Sequence, residues 1–332
     1  MPLHFALAAF PALLAVLAGD PPAPTSPPAA APATQKAPTD AAKPVYDENA
    51  DAHAAIDAAL AAATRDHSRV LLQWGANWCG WCKLLHGTFA SDKEIAKKLR
   101  DEYVVVYVDV GRMDKNADLA KRFNADLAKN GLPYLTVLDS SGVVVANQET
   151  GSLELPKGTE PRGHDRAKVL DFLTKNQAPP AKADDVLAAG LAKASSEGKL
   201  VFLHFGAPWC GWCHRLENWM AKPDVHAILA KAFVDVKIDT DRMTGGQELL
   251  TKHAKGKNGG VPWFEIVDAS GAALVNSNAP SGNVGFPAQP GEIGWFVEML
   301  TRSNAKLSSA DIAALKSSLE AESKPAAATP SH

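Results

Sequence analysis

The sequence predicts two tandem α/β domains built to one plan, and three observations carry that prediction. Short apolar, β-prone runs alternate with helix-length amphipathic segments from about residue 49 onward. The order of those segments repeats in a single register across the chain. Each copy also contains the same apolar run leading into two cysteines spaced two residues apart, Val70-Leu-Leu-Gln-Trp-Gly-Ala-Asn-Trp-Cys-Gly-Trp-Cys82 and Leu200-Val-Phe-Leu-His-Phe-Gly-Ala-Pro-Trp-Cys-Gly-Trp-Cys213. These two stretches hold all 4 cysteines of the 332 residues, a length that itself favours two domains.

Residues 1–18 read as a secretory signal, with an uncleaved signal anchor as the competing reading. Phe5 to Ala18 is apolar but short for a membrane span, and Val16-Leu17-Ala18 resembles a small-residue cleavage site. The mature form is therefore expected to be exported, periplasmic or extracellular, without a membrane span. That compartment is oxidising, so disulfide chemistry has thermodynamic meaning there. Residues 19–44 are Pro, Ala and Thr with almost no large apolar side chain, the composition of a disordered tether. The apolar fraction of 46% suits a globular protein with a sizeable core. A net charge of −3 with no Lys/Arg block argues against nucleic-acid and lipid-headgroup partners.

In the first copy, residues 45–176, a helix is expected over Asn49–Thr64, with Ile56 and Leu60 at i,i+4 spacing. The strand Val70–Trp74 leads into the cysteine helix, which breaks at Ser91-Asp92 and resumes through Leu99. Tyr103–Val110 is a β-branched and aromatic run, as in a strand covered on both faces. A helix over Asn116–Lys129, a strand from Tyr134 to Leu138, the turn Asp139-Ser-Ser-Gly142, a strand Val143–Gln148 and a helix Asp165–Lys175 complete the copy. Residues 177–183 form a Pro-stiffened linker, and residues 184–320 repeat the plan. Lys222-Pro223 replaces Ser91-Asp92 at the helix break, where Pro suits a first helical position. Gly260-Val-Pro-Trp263 matches Gly131-Leu-Pro-Tyr134, and Asp268-Ala-Ser-Gly271 matches Asp139-Ser-Ser-Gly142. A short amphipathic helix near Ser309–Leu319 precedes a disordered tail, residues 321–332.

A thiol at the head of a helix sits on unpaired backbone N–H groups, and the partial positive charge there favours the thiolate. Two intervening residues put Cys79 beside Cys82, and Cys210 beside Cys213, close enough to close or open a disulfide. Two Cys-x-x-Cys pairs could also make a zinc tetrathiolate, but structural zinc pairs usually lie close in sequence on loops, and these lie far apart, each heading its own helix. A purely structural role is poor too, because so small a loop removes little unfolded-state entropy. Trp78, Trp81, Trp209 and Trp212 are either packing residues or a surface that receives an extended partner chain. His204, in an apolar strand, is either a satisfied core residue or a base. Lys83 and His214 follow the cysteines by one turn and could support a thiolate or simply face solvent; His86, His226 and His253 have no evident partner.

The order helix, strand, Cys-x-x-Cys helix, strand, helix, Gly-x-Pro strand, hairpin, helix resembles the thioredoxin fold, twice over. That resemblance implies two three-layer α/β/α domains, each with a central mixed sheet of about four strands. It implies that Cys79 and Cys210 attack, that Cys82 and Cys213 resolve, and that Pro133 and Pro262 are cis-prolines facing the disulfide and helping to hold substrate backbone. It further implies a thiol–disulfide oxidoreductase acting on protein thiols and disulfides, with a possible redox partner protein and with no organic cofactor or metal. Thioredoxin carries a buried acid six residues before its first cysteine; here Gln73 and His204 stand at that position, and a His there is suited to accept the resolving thiol's proton. Trp81 and Trp212 replace thioredoxin's Pro before the second cysteine, which leaves the direction of electron flow open. The competing expectation is a chaperone-like binding module that grips unfolded chains with its cysteines incidental.

Overall fold

A computed structural model of the chain describes residues 44–257 and 260–323. The expected signal, nearly all of the expected tether and most of the expected tail lie outside the described residues. The described residues form one compact unit built of two copies of one plan.

In the first copy α1 (Ala52–Asp66) begins where Asp51 caps it by accepting from the Ala54 N–H, and ends at His67 with a left-handed φ of 48°. β1 (Arg69–Gly75) follows, then α2 (Gly80–Ser91) and α3 (Lys93–Glu102). Asp92 ends one helix and caps the next, its carboxylate accepting from the N–H groups of Glu94 and Ile95, which accounts for the expected break. β2 (Tyr103–Asp109), α4 (Ala117–Arg122), α5 (Leu127–Asn130), β3 (Tyr134–Leu138), β4 (Val144–Glu149) and α6 (Arg166–Asn176) complete it.

The single helix expected over Asn116–Lys129 is two helices. The chain turns out of α4 at Phe123 and Asn124, the latter at a φ of 54°, and Asp126 caps α5 by accepting from the Lys129 N–H. Asn tolerates that left-handed backbone and Asp favours a cap, so the local chemistry outweighs the helical periodicity.

The second copy runs α7 (Ala183–Glu197), β5 (Leu200–Gly206), α8 (Gly211–Met220), α9 (Pro223–Ala232), β6 (Phe233–Asp239), α10 (Gly246–His253), β7 (Trp263–Val267) and β8 (Ala273–Asn276). Two short strands, β9 (Asn278–Ala279) and β10 (Gly282–Asn283), lead to α11 (Pro290–Arg302) and α12 (Ser309–Ser323). The last helix extends four residues past the expected Leu319. It buries Leu315 and Leu319 against α9 and α11.

Each copy has a four-stranded mixed sheet, ordered β2-β1-β3-β4 and β6-β5-β7-β8. The first pair is parallel and the other two antiparallel. Alternate residues of each central strand divide between two cores. Val70, Leu72 and Trp74 pack toward α1 and α4, and Leu71 packs with Leu85, Ile95 and Phe172 on the side of the cysteine helix. Likewise Val201, Leu203 and Phe205 join the α7 core, while Phe202 joins the core under α8, α9 and α11. Gln73 and His204 thus share their strand's cysteine-helix face. Each hairpin turn is held by one carboxylate: Asp139 accepts from the N–H groups of Ser141 and Val143, and Asp268 from those of Ser270 and Ala272.

The copies meet where the end of α1 touches the β6 edge. Arg242 donates to the backbone oxygens of Asp66 (2.9 Å) and His67 (3.1 Å) and to the Glu102 carboxylate (3.1 Å). Lys237 reaches Asp66 at 3.0 Å.

Candidate active sites

Each cysteine helix starts on the sulfur itself. Cys79 is the N-cap of α2 (φ −78°, ψ 108°), and its Sγ accepts from the Cys82 N–H at 3.1 Å. Cys210 repeats this on α8 (φ −83°, ψ 98°), with Sγ accepting from the Cys213 N–H at 3.1 Å. An acceptor at the N-cap is what the unpaired amides of a helix start require, so the same geometry that caps the helix stabilises negative charge on the first sulfur. Both pairs are disulfides, Cys79–Cys82 and Cys210–Cys213, with Cα separations of 5.3 and 5.2 Å. All four sulfurs are buried, the second of each pair more deeply.

The expected prolines stand beside them. The Leu132–Pro133 and Val261–Pro262 bonds are cis, and the Val261 carbonyl oxygen lies 3.5 Å from Cys210 Sγ. The Pro133 carbonyl accepts from the Thr150 hydroxyl at 2.7 Å, and the Pro262 carbonyl from the Asn283 side-chain amide at 3.0 Å.

The tryptophans frame the openings. Trp78, Trp209 and Trp212 expose 52%, 59% and 55% of their surface, far too much for packing residues alone. Trp81 is half-buried, edge-on to His164 at 5.6 Å, with the Arg162 guanidinium 5.7 Å from its ring centre. Trp212 instead stacks on Phe286, and Arg215 covers both rings at 5.3 and 4.7 Å. The indole N–H of Trp78 donates to the Gly111 carbonyl at 2.6 Å, and that of Trp209 to the Asp241 carboxylate at 2.8 Å. Trp78, Cys79, Trp81, Met113 and Leu132 line a groove of about 410 Å³ at the first site.

Beneath the disulfides the two sites part. Under the first, Gln73 donates to the Tyr46 hydroxyl at 2.8 Å, and a Cβ on Gly75 would collide with that hydroxyl and come within 2.8 Å of Cys82 Sγ. Glycine is therefore needed where strand, tyrosine and sulfur crowd together. Burial pushes the Tyr46 and Tyr107 phenols up, so they stay neutral. His86, without a partner in the sequence, meets the Tyr107 hydroxyl at 3.1 Å. Gln73, Tyr46, Tyr107 and His86 make this floor, with the Asp109 carboxylate close enough to push Tyr46 up further.

Under the second site the corresponding positions are charged. Glu217 takes the place of His86 and Lys237 that of Tyr107. Glu217 Oε1 and Cys213 Sγ lie 3.7 and 3.3 Å from the point a Cβ on Gly206 would occupy. Lys237 Nζ stands 2.7 Å from Glu217 Oε1, in an ion-pair contact off the line of a hydrogen bond. Burial pushes the Glu217 carboxyl up, but His214, whose Nδ1 stands 3.8 Å from Glu217 Oε2, together with Lys237 and His204 outweighs it and holds the group at about 2. The nearby Glu217 carboxylate, with the Pro208 carbonyl 2.8 Å from Nε2, in turn raises His214 above the ordinary histidine value, against the pull of burial. His204 is 2% exposed, and its Nε2 faces the Asp235 carboxylate at 3.0 Å. It therefore lies under the cysteine helix as expected, but as one member of a charged cluster rather than a lone imidazole. Lys83 faces solvent, and His253 pairs with the buried Glu265 across the α10 side of the sheet.

Sequence reasoning missed Tyr46 and Glu217. For Glu217 a signal existed: it falls among the buried positions of α8 with Cys213, Leu216 and Met220, at i+4 from the second cysteine. For Tyr46 there was none, since only tertiary folding brings it to Gln73, 27 residues away. Among the described residues no group of three or more His, Cys, Asp or Glu is arranged to hold a metal ion.

Comparison with known proteins agrees with this geometry. Two stretches, residues 51–140 and 182–269, together more than half of the chain, match the model of a family described as thioredoxin-like. Protein disulfide-isomerase erp38 from Neurospora crassa is 28% identical over 188 residues, 53% of this chain and 44% of that protein. Protein disulfide-isomerase A4 from Bos taurus is 28% identical over 155 residues, 46% of this chain and 21% of that protein. The chain thus spans less than half the length of these curated relatives. A crystal structure of a disulphide isomerase from Xylella fastidiosa Temecula1 is 31% identical and covers 41% of this chain and 98% of its own, with a TM-score of 0.35. With two matched stretches, two cysteine-capped helices and two sheets of one topology, the chain belongs to the thioredoxin-like family, as a tandem repeat.

Proposed function

We propose that the protein is a thiol–disulfide oxidoreductase that exchanges disulfides with exported protein substrates through its two Cys-Gly-Trp-Cys sites. The observation that carries this reading is the sulfur at each N-cap, held by a backbone N–H where negative charge is favoured. In the reductive direction the thiolate of Cys79 or Cys210 attacks one sulfur of a substrate disulfide. The substrate S–S bond breaks, a mixed disulfide forms, and the released substrate thiolate takes a proton from water. Cys82 or Cys213, having lost its proton, attacks the first cysteine and expels the second substrate sulfur. Two electrons pass to the substrate and the site is left as a disulfide. The oxidative direction uses the same atoms in reverse.

Pro133 and Pro262, with the tryptophans, are the surface on which we place an extended substrate segment. Their carbonyls are already engaged by Thr150 and Asn283, which fixes the loops beside the sulfurs. His204 is assigned to the proton traffic of the second site through the charged cluster it shares with Glu217. The catalytic domains are residues 45–176 and 184–320. Residues 1–18 support export to a periplasmic or extracellular setting, and no helix among the described residues is long and apolar enough to cross a membrane. A redox partner protein completes the cycle.

Trapping tests the assignment. Cys82→Ser and Cys213→Ser, introduced together, should accumulate a covalent adduct with a disulfide-containing protein such as insulin, resistant to alkylation and released by dithiothreitol. Adding Cys79→Ser and Cys210→Ser should abolish it. No adduct in the first variant would sink the assignment of attacking and resolving roles.

A further inference from the structure

Lys237 lies between two carboxylates that belong to different repeats. Its Nζ is 2.7 Å from Glu217 Oε1, under the second disulfide, and 3.0 Å from Asp66 Oδ1, at the last residue of α1 in the first repeat. All three side chains are largely withdrawn from water, with 9%, 4% and 23% exposed. Charges held that close in partly buried surroundings interact several times more strongly than on an open surface. The contact is fixed from both sides. Arg65 pairs with Asp66 at 3.1 Å, and Arg242 of the second repeat grips the backbone oxygens of Asp66 and His67.

We propose that Asp66 is a positioning residue for the second site's chemistry: by sharing Lys237 with Glu217, the first repeat sets how much negative field reaches Cys210 and Cys213. This rests on the exchange chemistry assigned to that site above. The charged and titratable groups around Lys237 are Arg65, Asp66 and His67 at the end of α1, His214 and Glu217 on α8, His204 on β5, and Asp235 and Asp239 on β6. Among them Asp66 is an anion contributed by the other repeat. The first site has no counterpart, because Tyr107 and His86 stand where Lys237 and Glu217 stand in the second. The repeats are thus coupled in one direction, with α1 acting on the site of the second copy.

Removing the Asp66 charge frees Lys237 to neutralise Glu217 fully, and the surroundings of the sulfurs become more positive. A thiolate is then favoured, the reduced dithiol gains, and the disulfide becomes easier to reduce. The measurement uses the full chain carrying Cys79→Ser and Cys82→Ser, so that only the second site reports. Equilibration with reduced and oxidised glutathione should show Asp66→Asn moving the equilibrium about threefold toward the dithiol, ~14 mV for a two-electron couple. Thiolate absorbance at low pH should rise in parallel. Asp66→Glu should return both readings to those of the parent. Glu102→Gln, which loosens the other interface ion pair while keeping Asp66, Lys237 and Glu217 themselves, should leave them in place.

An equilibrium indifferent to Asp66→Asn overturns the proposal, as does an equal shift in Glu102→Gln, which would make the effect one of docking rather than charge. A parent background that does not exchange with glutathione at all overturns the exchange reading together with it.

Discussion

Cys79 and Cys210 owe their chemistry to position. Each is the acceptor at a helix start, so each should be the thiolate of its pair near neutral pH, while Cys82 and Cys213, within the helix and more deeply buried, should stay protonated. A brief iodoacetamide pulse on reduced protein, read by mass spectrometry, should label the first cysteine of each pair much faster than the second. Equal labelling would contradict the assignment. His164 gives a second test at this scale. It is 6% exposed, neither ring nitrogen has a hydrogen-bond partner, and burial lowers it to about 4. A group depressed in the fold contributes stability that is complete above its ordinary value of about 6.5 and is lost as pH falls toward 4. Between pH 7 and 4 His164 should cost the fold about 3 kcal/mol. Urea unfolding of His164→Leu should show that much less acid destabilisation than the parent, and an identical pH dependence would contradict the burial argument.

Helices and strands repeat between the copies closely enough that their differences are informative. α7 carries Gly190 where α1 carries Ala59, both buried against the parallel edge strand. A Cβ on Gly190 would run into Val236 on β6, so α7 approaches its sheet more closely than an alanine allows. Alanine would gain up to about 1 kcal/mol in helix propensity. The overpacking of about 1–3 kcal/mol outweighs it. Gly190→Ala should therefore lower the melting temperature of the protein, and a raised one would show that the helix shifts without cost. The strands, the cysteine helices and the break at Asp92 were legible in the sequence, because apolar periodicity and capping residues act locally. The turn through Phe123 and Asn124 was not. Its helical periodicity continues across the break, and only the left-handed Asn124 and the cap at Asp126 interrupt it.

For the molecule as a whole, duplication, the cysteine pairs and the two cis-prolines could be read from residues and from likeness to a known fold. What sits beneath the sulfurs could not. Tyr46 reaches Gln73 from before the first helix, and Asp66 reaches Lys237 from the other repeat, 171 residues away in sequence. Such contacts carry no local signature, since they depend on how whole elements dock. They also make the copies unequal, one site floored by Gln73, Tyr107 and His86 and one by the ion-paired Glu217 and Lys237. Salt should therefore shift the glutathione equilibrium of the second site more than that of the first, because ions reach its charged cluster at the half-exposed Asp235 and His214 side chains. Variants keeping one pair each, titrated in low and high salt, would check this, and equal responses would contradict the difference in charge.

The central claim is that the four cysteines perform the protein's chemistry and the surrounding aromatic surface serves it. Its most direct measurement is the rate at which the protein turns over a disulfide-containing protein substrate with glutathione as the second thiol couple, with all four cysteines replaced by serine. Circular dichroism verifies that the replaced protein is folded. The account predicts a fall to the uncatalysed rate, with partial activity in variants that keep either Cys79 and Cys82 or Cys210 and Cys213. A folded four-serine protein that still accelerated the reaction, or still protected unfolded chains with undiminished effect on their recovery, would contradict it.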